Sequence, residues 1–317
     1  MDKNDVIYLK KLIENANVIS FDIFDTLLLR KVNTPESIFE IVGNNFSIAN
    51  FQRMRVEAQQ KVSKLLHDLF SFQHANMDEI YDELKKYKLD NIDWDVVKNF
   101  EYQVEKDALV QNVEMFSIYE YAKNLKKRII ITSDMYLPAC FLKEVLNSAG
   151  YYGFNEMYIS SNERKAKFDS TLFYRLLKNE NIISKSILHI GDNFMSDYQM
   201  PKKLGIVAYH YERNINLSKI VDCNDSLIDK GIYNILAKNN EFWYNLGLEV
   251  GGPMYCGLYF WLENNLKKID ANKTIYFISR DGFNLWEIYK KINNRKVKYV
   301  YTSRRALLLA GIADLSN

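Results

Sequence analysis

The sequence has little of what marks the more specialised classes of protein. Its 42 Lys and Arg nearly cancel its 40 Asp and Glu, which leaves a formal net charge of +2. No strong pull toward nucleic acid or anionic lipid follows from that balance. Three cysteines, Cys140, Cys223 and Cys256, stand far apart and form no Cys-x-x-Cys pair, so a reduced, cytoplasmic chain is the simplest expectation. The four histidines, His67, His74, His189 and His210, lack metal-ligand spacing, which argues against a zinc site. Met1-Asp2-Lys3-Asn4-Asp5 is polar and has no apolar core of signal-peptide type. One largely apolar stretch, Leu246 to Leu262, carries Glu249, several glycines and Pro253, and falls short of the roughly 20 residues that a span needs. It reads as a buried or partner-facing helix. No low-complexity tract or short repeat is evident.

What the chain does have is length and aromatic bulk. Its 317 residues allow two domains, and 22 Tyr with 18 Phe argue for substantial cores and against disorder. Four short segments carry the chemistry. Val18-Ile-Ser-Phe-Asp-Ile-Phe-Asp-Thr-Leu-Leu28 reads as a buried strand that delivers Asp22 to its carboxyl end, followed by Asp25 and Thr26. Arg128 to Pro138 is a second apolar strand, ending in Thr132 and Ser133. Asn162 to Phe173 is a basic turn running into an amphipathic helix, with Arg164, Lys165 and Lys167. Ile187 to Asp197 is a third strand, ending in Gly191, Asp192 and then Asp197. Open α/β sheets place ligands at the carboxyl ends of their strands.

A strand-end Asp, a strand-end Ser, a Lys before a helix and a strand-end acid pair, in that order, resemble the motifs of the haloacid dehalogenase-like (HAD) hydrolase superfamily. The resemblance covers roughly residues 15 to 210. It implies an α/β fold: a Rossmannoid parallel sheet with a helical cap inserted after the first strand. It also implies a Mg²⁺-dependent phosphatase that works through an aspartyl-phosphate. In that scheme Asp22 is the nucleophile. Asp22, Asp192 and the Phe24 carbonyl hold Mg²⁺, Asp197 orients the metal's water shell, and Ser133 and Lys167 contact the phosphoryl oxygens. Lys167 is chosen because Lys167-Phe-Asp-Ser-Thr-Leu-Phe173 matches the family's Lys followed six residues on by Phe; Arg164 and Lys165 are its competitors. Thr132 competes with Ser133. His189, on the third strand, reads as a packed core residue.

The helical periodicities of 51–70, 77–87 and 94–110, with Pro35 opening a further helix, place the cap at 33–113. The Rossmannoid core then comprises 1–32 and 114–210. Helix and strand alternate from Asn112 to His210, as a parallel sheet requires. Residues 211–317 form a further, incomplete α/β unit: a polar linker over 211–234, a helix over 240–268, a strand over 274–278, a helix over 283–292 and a strand over 299–301. An incomplete sheet suggests that the natural chain continues past Asn317. Ser279-Arg280 and Ser303-Arg304 at its strand ends suit either an anion or a docking contact. The layout resembles a bacterial group of HAD hydrolases linked to glycosyltransferases of surface polysaccharide assembly. That likeness implies a small phosphorylated substrate such as a sugar phosphate, and a glycosyltransferase domain or partner.

One departure bears on activity. HAD phosphatases carry a second Asp two residues after the nucleophile, which protonates the leaving group; here that position is Phe24. Loss of general acid catalysis costs on the order of 100- to 10,000-fold. Asp25 is adjacent, but successive strand side chains face opposite ways, so only a bend after Phe24 would turn it inward. Two alternatives stay open. Haloacid dehalogenases also lack that acid, though they need no metal and typically carry Ser-Asn where this chain has Gly191-Asp192. A catalytically weak module serving as a binding adaptor is the other.

Overall fold

The computed structural model describes residues 1, 3–32, 34–72, 74–89, 91–212, 241–267, 272–292 and 295–302. These fall into two compact units, one up to residue 212 and one from residue 241.

The first unit is built on a parallel five-stranded sheet. Its strands are β1 (Val18–Phe21), β4 (Arg128–Ser133), β5 (Glu156–Ile159), β6 (Ile187–Gly191) and β7 (Val207–His210), in the spatial order β5-β4-β1-β6-β7. β1 is therefore central, with β4 and β6 on either side. The side-chain alternation of these strands sorts residues onto two faces. Ile19, Phe21, Ile129, Ile131, Leu188 and Ile190 pack in one core with Leu9 and Ile13 of α1 (Lys3–Asn15) and Met115 and Ile118 of α6 (Val113–Asn124). Val18, Ile130 and Ile187 face the other way, against Leu172, Phe173 and Leu176 of α9 (Thr171–Glu180). Each of these buried aliphatic or aromatic side chains contributes about 1.5–3 kcal/mol relative to exposure. Burial on both faces explains why the strands read as continuous apolar runs.

Between the first and second sheet strands the chain makes a helical block: α2 (Ser37–Asn45), α3 (Phe51–Phe70), α4 (Met77–Leu84) and α5 (Trp94–Asp107). It leaves and rejoins the core through an antiparallel pair, β2 (Leu28–Arg30) with β3 (Leu109–Gln111). The sequence gives no strand signal there, because three-residue strands whose partners lie some 80 residues apart carry no readable period. α2 also starts later than its proline suggests: residues 34–36 form a turn, and the helix begins at Ser37. α4 opens on a capping box, Asn76 with Glu79, and Asp93 caps α5. The block is organised round a buried ion pair. Arg55 of α3 meets Glu101 of α5 at 2.9 Å, and its guanidinium lies over the rings of Phe39 and Tyr136.

Several contacts seat this block on the carboxyl-terminal edge of the sheet. The Met77 N–H donates to the Tyr136 carbonyl just past β4 (3.1 Å). Tyr136 donates its hydroxyl to Glu105 (2.5 Å). Glu79 takes both Nη atoms of Arg164 at 2.8 and 3.0 Å. The ring of His74 lies 5.7 Å from that of Phe168.

The second unit contains one long helical segment, Phe242–Leu246 and Gly252–Leu266 joined by a π-helical turn over Gly247–Gly251. Strands Ile275–Ile278 and Val297–Val300 pair in parallel around helix Gly282–Ile292. The last strand thus begins two residues earlier than its sequence suggests. No described helix is long and apolar enough to cross a membrane. Residues 213–240, which hold the expected linker and Cys223, and Ser303-Arg304 lie outside the described residues.

Candidate active site

Asp22 follows β1, and its N–H donates to the Ile190 carbonyl of β6 at 2.9 Å. The ladder between the two central strands thus runs on to Asp22. Asp192 follows β6 directly, so adjacent parallel strands set the two carboxylates side by side. The third segment is a turn running into a helix, as its sequence reads. A one-turn helix, α8 (Ser160–Glu163), ends at Arg164 with φ 52°, and a loop carries Lys167 before α9 begins at Thr171. Asp134, next after Ser133, accepts the Lys167 N–H on both carboxylate oxygens at 2.9 Å.

That loop sends the Lys167 ammonium into the site. It donates to Asp22 Oδ1 and to Asp197 Oδ1, each at 2.5 Å. All three side chains are buried. Arg164 is instead engaged by Glu79, and Lys165 is exposed, so neither takes this place. Asp197 sits in a π-helical turn, Phe194–Gln199, capped by the Asn193 side chain. Its other oxygen accepts the Asn193 N–H at 3.1 Å. Gly191 makes room for it. A Cβ at residue 191 would lie 2.5–2.7 Å from Asp197 Cγ, Cβ and Oδ2, closer than atoms can approach.

Ser133 is buried at the end of β4, on the opposite face from Thr132. The Thr132 hydroxyl is spent elsewhere, 2.8 Å from Ser20 Oγ. Ser20 Oγ in turn lies 2.8 Å from His189 Nδ1, and His189 Nε2 lies 3.1 Å from Asp197 Oδ1. Three neighbouring strands thus contribute one polar row between the α9 core and the site, with His189 edge-on to Phe173.

The electrostatics show a shortage of positive charge. Burial, with Asp197 and Asp192 nearby, outweighs the pull of Lys167 and pushes the Asp22 carboxyl up to about 7. Burial, with Asp197 and Asp25, pushes Asp192 up to about 6. Asp197 goes the other way. Burial opposes its charge, but Lys167 and His189 hold it below the ordinary carboxylate range. Burial likewise opposes the charge on Lys167, yet Asp197, Asp22 and Asp134 hold its ammonium above the ordinary lysine range. Burial keeps His189 below the usual imidazole value.

Asp22, Asp192 and Asp197 present oxygens that all lie within 4.8 Å of one another. Three converging carboxylates against one ammonium suit a hard divalent cation. Asp197 already accepts from Lys167, His189 and a backbone N–H, which leaves Asp22 and Asp192 as the less committed ligands. Phe24 is buried, with the Arg30 guanidinium 4.3 Å above its ring. The bend after it exists: Asp25 has φ 55°. Its carboxylate, however, meets Arg30 Nη1 at 2.7 Å and is half-exposed.

Sequence reasoning assigned no role to Asp134, and it took His189 for packing alone. Nothing local announces either. An acid after the strand-end Ser finds the Lys167 amide 33 residues away, and His189 has its polar partners on two other elements.

No protein-family model matches the chain, and no curated protein matches it by sequence. Among solved structures it is similar to a 2-haloacid dehalogenase from Pseudomonas syringae, at 16% identity and TM-score 0.45, over 64% of this chain and 91% of that one. A HAD family enzyme from Bacteroides thetaiotaomicron gives 15% and 0.46, over 64% and 97%. A HAD hydrolase from Bacillus subtilis bound to magnesium gives 13% and 0.45, over 64% and 92%. At such values the likeness carries no residue assignments, and the roles below rest on this chain's own geometry.

Proposed function

We propose that the chain is a HAD-type hydrolase that cleaves a phosphate ester through an aspartyl-phosphate on Asp22. The observation that carries this reading is the buried Lys167 ammonium bridging Asp22 and Asp197 beside Asp192. In the first step an Asp22 oxygen bonds to phosphorus as the bond to the leaving oxygen breaks. In the second, water attacks phosphorus, the bond to Asp22 breaks, and inorganic phosphate leaves. Lys167 has three N–H donors, two of them used on carboxylates. The third serves a phosphoryl oxygen, together with Ser133 at the end of the neighbouring strand β4. Asp22, Asp192 and the Phe24 carbonyl would hold Mg²⁺, with Asp197 ordering its waters. When bound, the ion neutralises charge between the nucleophile and the phosphoryl group. The helical block over 33–113 acts as a cap that excludes water and reads the rest of the substrate.

Phe24 cannot donate a proton, and Asp25 is engaged by Arg30. We therefore expect good leaving groups to be favoured. The exposed free thiols of Cys140 and Cys256 suit the reducing cytoplasm, and a sugar phosphate of surface polysaccharide assembly is a fitting substrate class. Phe24 is also what favours the rival reading, an inactive adaptor for a glycosyltransferase. The test is hydrolysis of an aryl phosphate with and without Mg²⁺, beside Asp22→Asn. Equal turnover by the two proteins would end the proposal; Mg²⁺ binding without turnover on a broad phosphate-ester panel would favour the adaptor.

A further inference from the structure

We propose that His189 is a positioning residue for this site: it fixes Asp197, and through Asp197 it aims the Lys167 ammonium at the nucleophile. The inference rests on the phosphoryl-transfer reading for its kinetic consequence only; its geometric content stands by itself.

The direction of the hydrogen bonds follows from what each group can do. Asp197 as a carboxylate only accepts, so His189 Nε2 carries the hydrogen of the 3.1 Å contact. In the neutral ring Nδ1 is then an acceptor, and Ser20 Oγ donates to it across 2.8 Å. With its own proton so used, Ser20 accepts from Thr132 Oγ1 at 2.8 Å. The order is Thr132 to Ser20 to His189 to Asp197, with Lys167 donating to the same Asp197 oxygen at 2.5 Å. Every member is buried, so water cannot replace a lost link. Phe173 holds the imidazole edge-on, at 4.8 Å between ring centroids, and limits its rotation. The β1–β6 register, which pairs Ser20 with His189, sets the spacing.

An apolar core histidine would not need this row. Valine or leucine would fill the same position between β6 and α9 without asking for two polar partners, here Ser20 of β1 and Asp197. The row ends on the one carboxylate that shares Lys167 with the nucleophile. Without the His189 donor, Asp197 Oδ1 is held by Lys167 alone, and the carboxylate can pivot about its remaining contact with the Asn193 N–H, drawing the ammonium off Asp22.

The experiment compares full-length wild type, His189→Leu and His189→Gln, the amide of Gln offering an N–H where Nε2 stood. The first readout is the ¹H–¹⁵N signal of the Lys167 ammonium at low temperature, assigned by its loss in Lys167→Arg. A sharp, exchange-protected signal is expected in wild type and in His189→Gln, and a shifted or exchange-broadened one in His189→Leu. The second readout is turnover of an aryl phosphate. His189→Leu should lower kcat about tenfold to a hundredfold, as loss of a supporting partner typically does, with KM changing less. His189→Gln should recover most of kcat. If His189→Leu does not fold, Ser20→Ala removes the Nδ1 partner and should move both readouts the same way by a smaller amount. A Lys167 signal absent from wild type, or unchanged in the folded His189→Leu or Ser20→Ala protein, would overturn the proposal. So would a Gln variant no better than Leu. Should wild type itself prove inactive, the phosphatase reading falls while the ammonium signal still decides the role of His189.

Discussion

Gly191→Ala adds one methyl group and changes no charge, yet it should disable the site. The new Cβ would stand 2.5–2.7 Å from three atoms of Asp197. Asp197 cannot slide away cheaply, because it is buried and both of its oxygens are bonded, to Lys167 and His189 on one side and the Asn193 N–H on the other. If the turn over 194–199 gives way and the contacts survive, the cost is that of overpacking, about 1–3 kcal/mol. If Asp197 swings out, the buried ammonium loses one of its two partners, and the cost approaches the roughly 3–5 kcal/mol of a broken buried pair. For a unit of this size each kcal/mol lowers the melting temperature by about 2–4 °C. The assay is thermal unfolding together with aryl phosphate turnover. The expected result is a loss of stability within that range, and a fall in kcat larger than the population of unfolded protein accounts for. A variant with wild-type melting and wild-type turnover would refute the argument that Asp197 is held against the Gly191 backbone.

Other outcomes follow from the same geometry. Mg²⁺ should raise the melting temperature of wild type and not that of Asp192→Asn, while the metal-free Asp192→Asn should melt at or above metal-free wild type, since it relieves repulsion at a carboxyl pushed up to about 6; scanning calorimetry with and without Mg²⁺ checks both. Metal-free stability should fall as pH rises from about 4 to about 7. Asp22 and Asp192 are raised from 3.8 to about 7 and about 6, and Glu105 is raised from 4.5 to about 6 by burial, Tyr136 notwithstanding. In that window these three carboxyls bind more protons folded than unfolded and make the slope negative, against His74 and His189, which burial holds below the usual imidazole value and which act the other way; urea melts at pH 5 and pH 7.5 measure the balance, and Mg²⁺ should flatten the carboxyl part. Phe24→Asp should narrow the gap between aryl and alkyl phosphate rates. Asp25→Asn should slow alkyl phosphates selectively only if Asp25 donates the proton, and equal aryl and alkyl rates in wild type would show that no proton donor is missing. Glu79→Gln should weaken the seat of the helical block on the Lys167 loop and raise proteolytic susceptibility near residues 70–76, while the sheet core keeps its hydrogen-exchange protection.

What could be read in advance follows the physics of each element. β1, β4 and β6 are buried on both faces and therefore wrote themselves as apolar runs, and the residues that follow them were found because strand ends are fixed points. The helical block was visible through its period, which the burial of Ala58 and Val62 in α3 follows, whereas Leu65 and Leu69 at the same spacing are exposed. The β2–β3 pair was not, because its partners meet only after the block has folded between them. The Lys167 segment reads as a basic turn before a helix, and α9 does begin after it, at Thr171; what could not be read is that the Asp134 carboxylate takes the Lys167 amide. Tertiary hydrogen bonds of this kind have no local sequence period.

The same distinction bears on the proposed reading, in which the site has its acids and no proton donor at residue 24. Asp22 and Asp197 share the one buried Lys167 ammonium, so replacing Lys167 strands two buried carboxylates and replacing Asp197 takes away one of the ammonium's two partners. The side chain at residue 24 is under no such constraint. It lies where the loop leaving β1 meets β2, the strand that enters the helical block, and the Arg30 guanidinium from that strand covers its ring. A phenylalanine there gains burial and a cation–π contact, and Arg30 then draws Asp25 outward. On the proposed reading, packing at the root of the block holds the position that a proton donor would need. In that reading the consequence falls on the leaving group alone, since attack at phosphorus would draw on Asp22 and Lys167, which the exchange leaves in place. An enzyme so arranged would be selective for leaving groups that depart as stable anions, and residue 24 would set that selectivity whatever the block reads in the rest of the substrate.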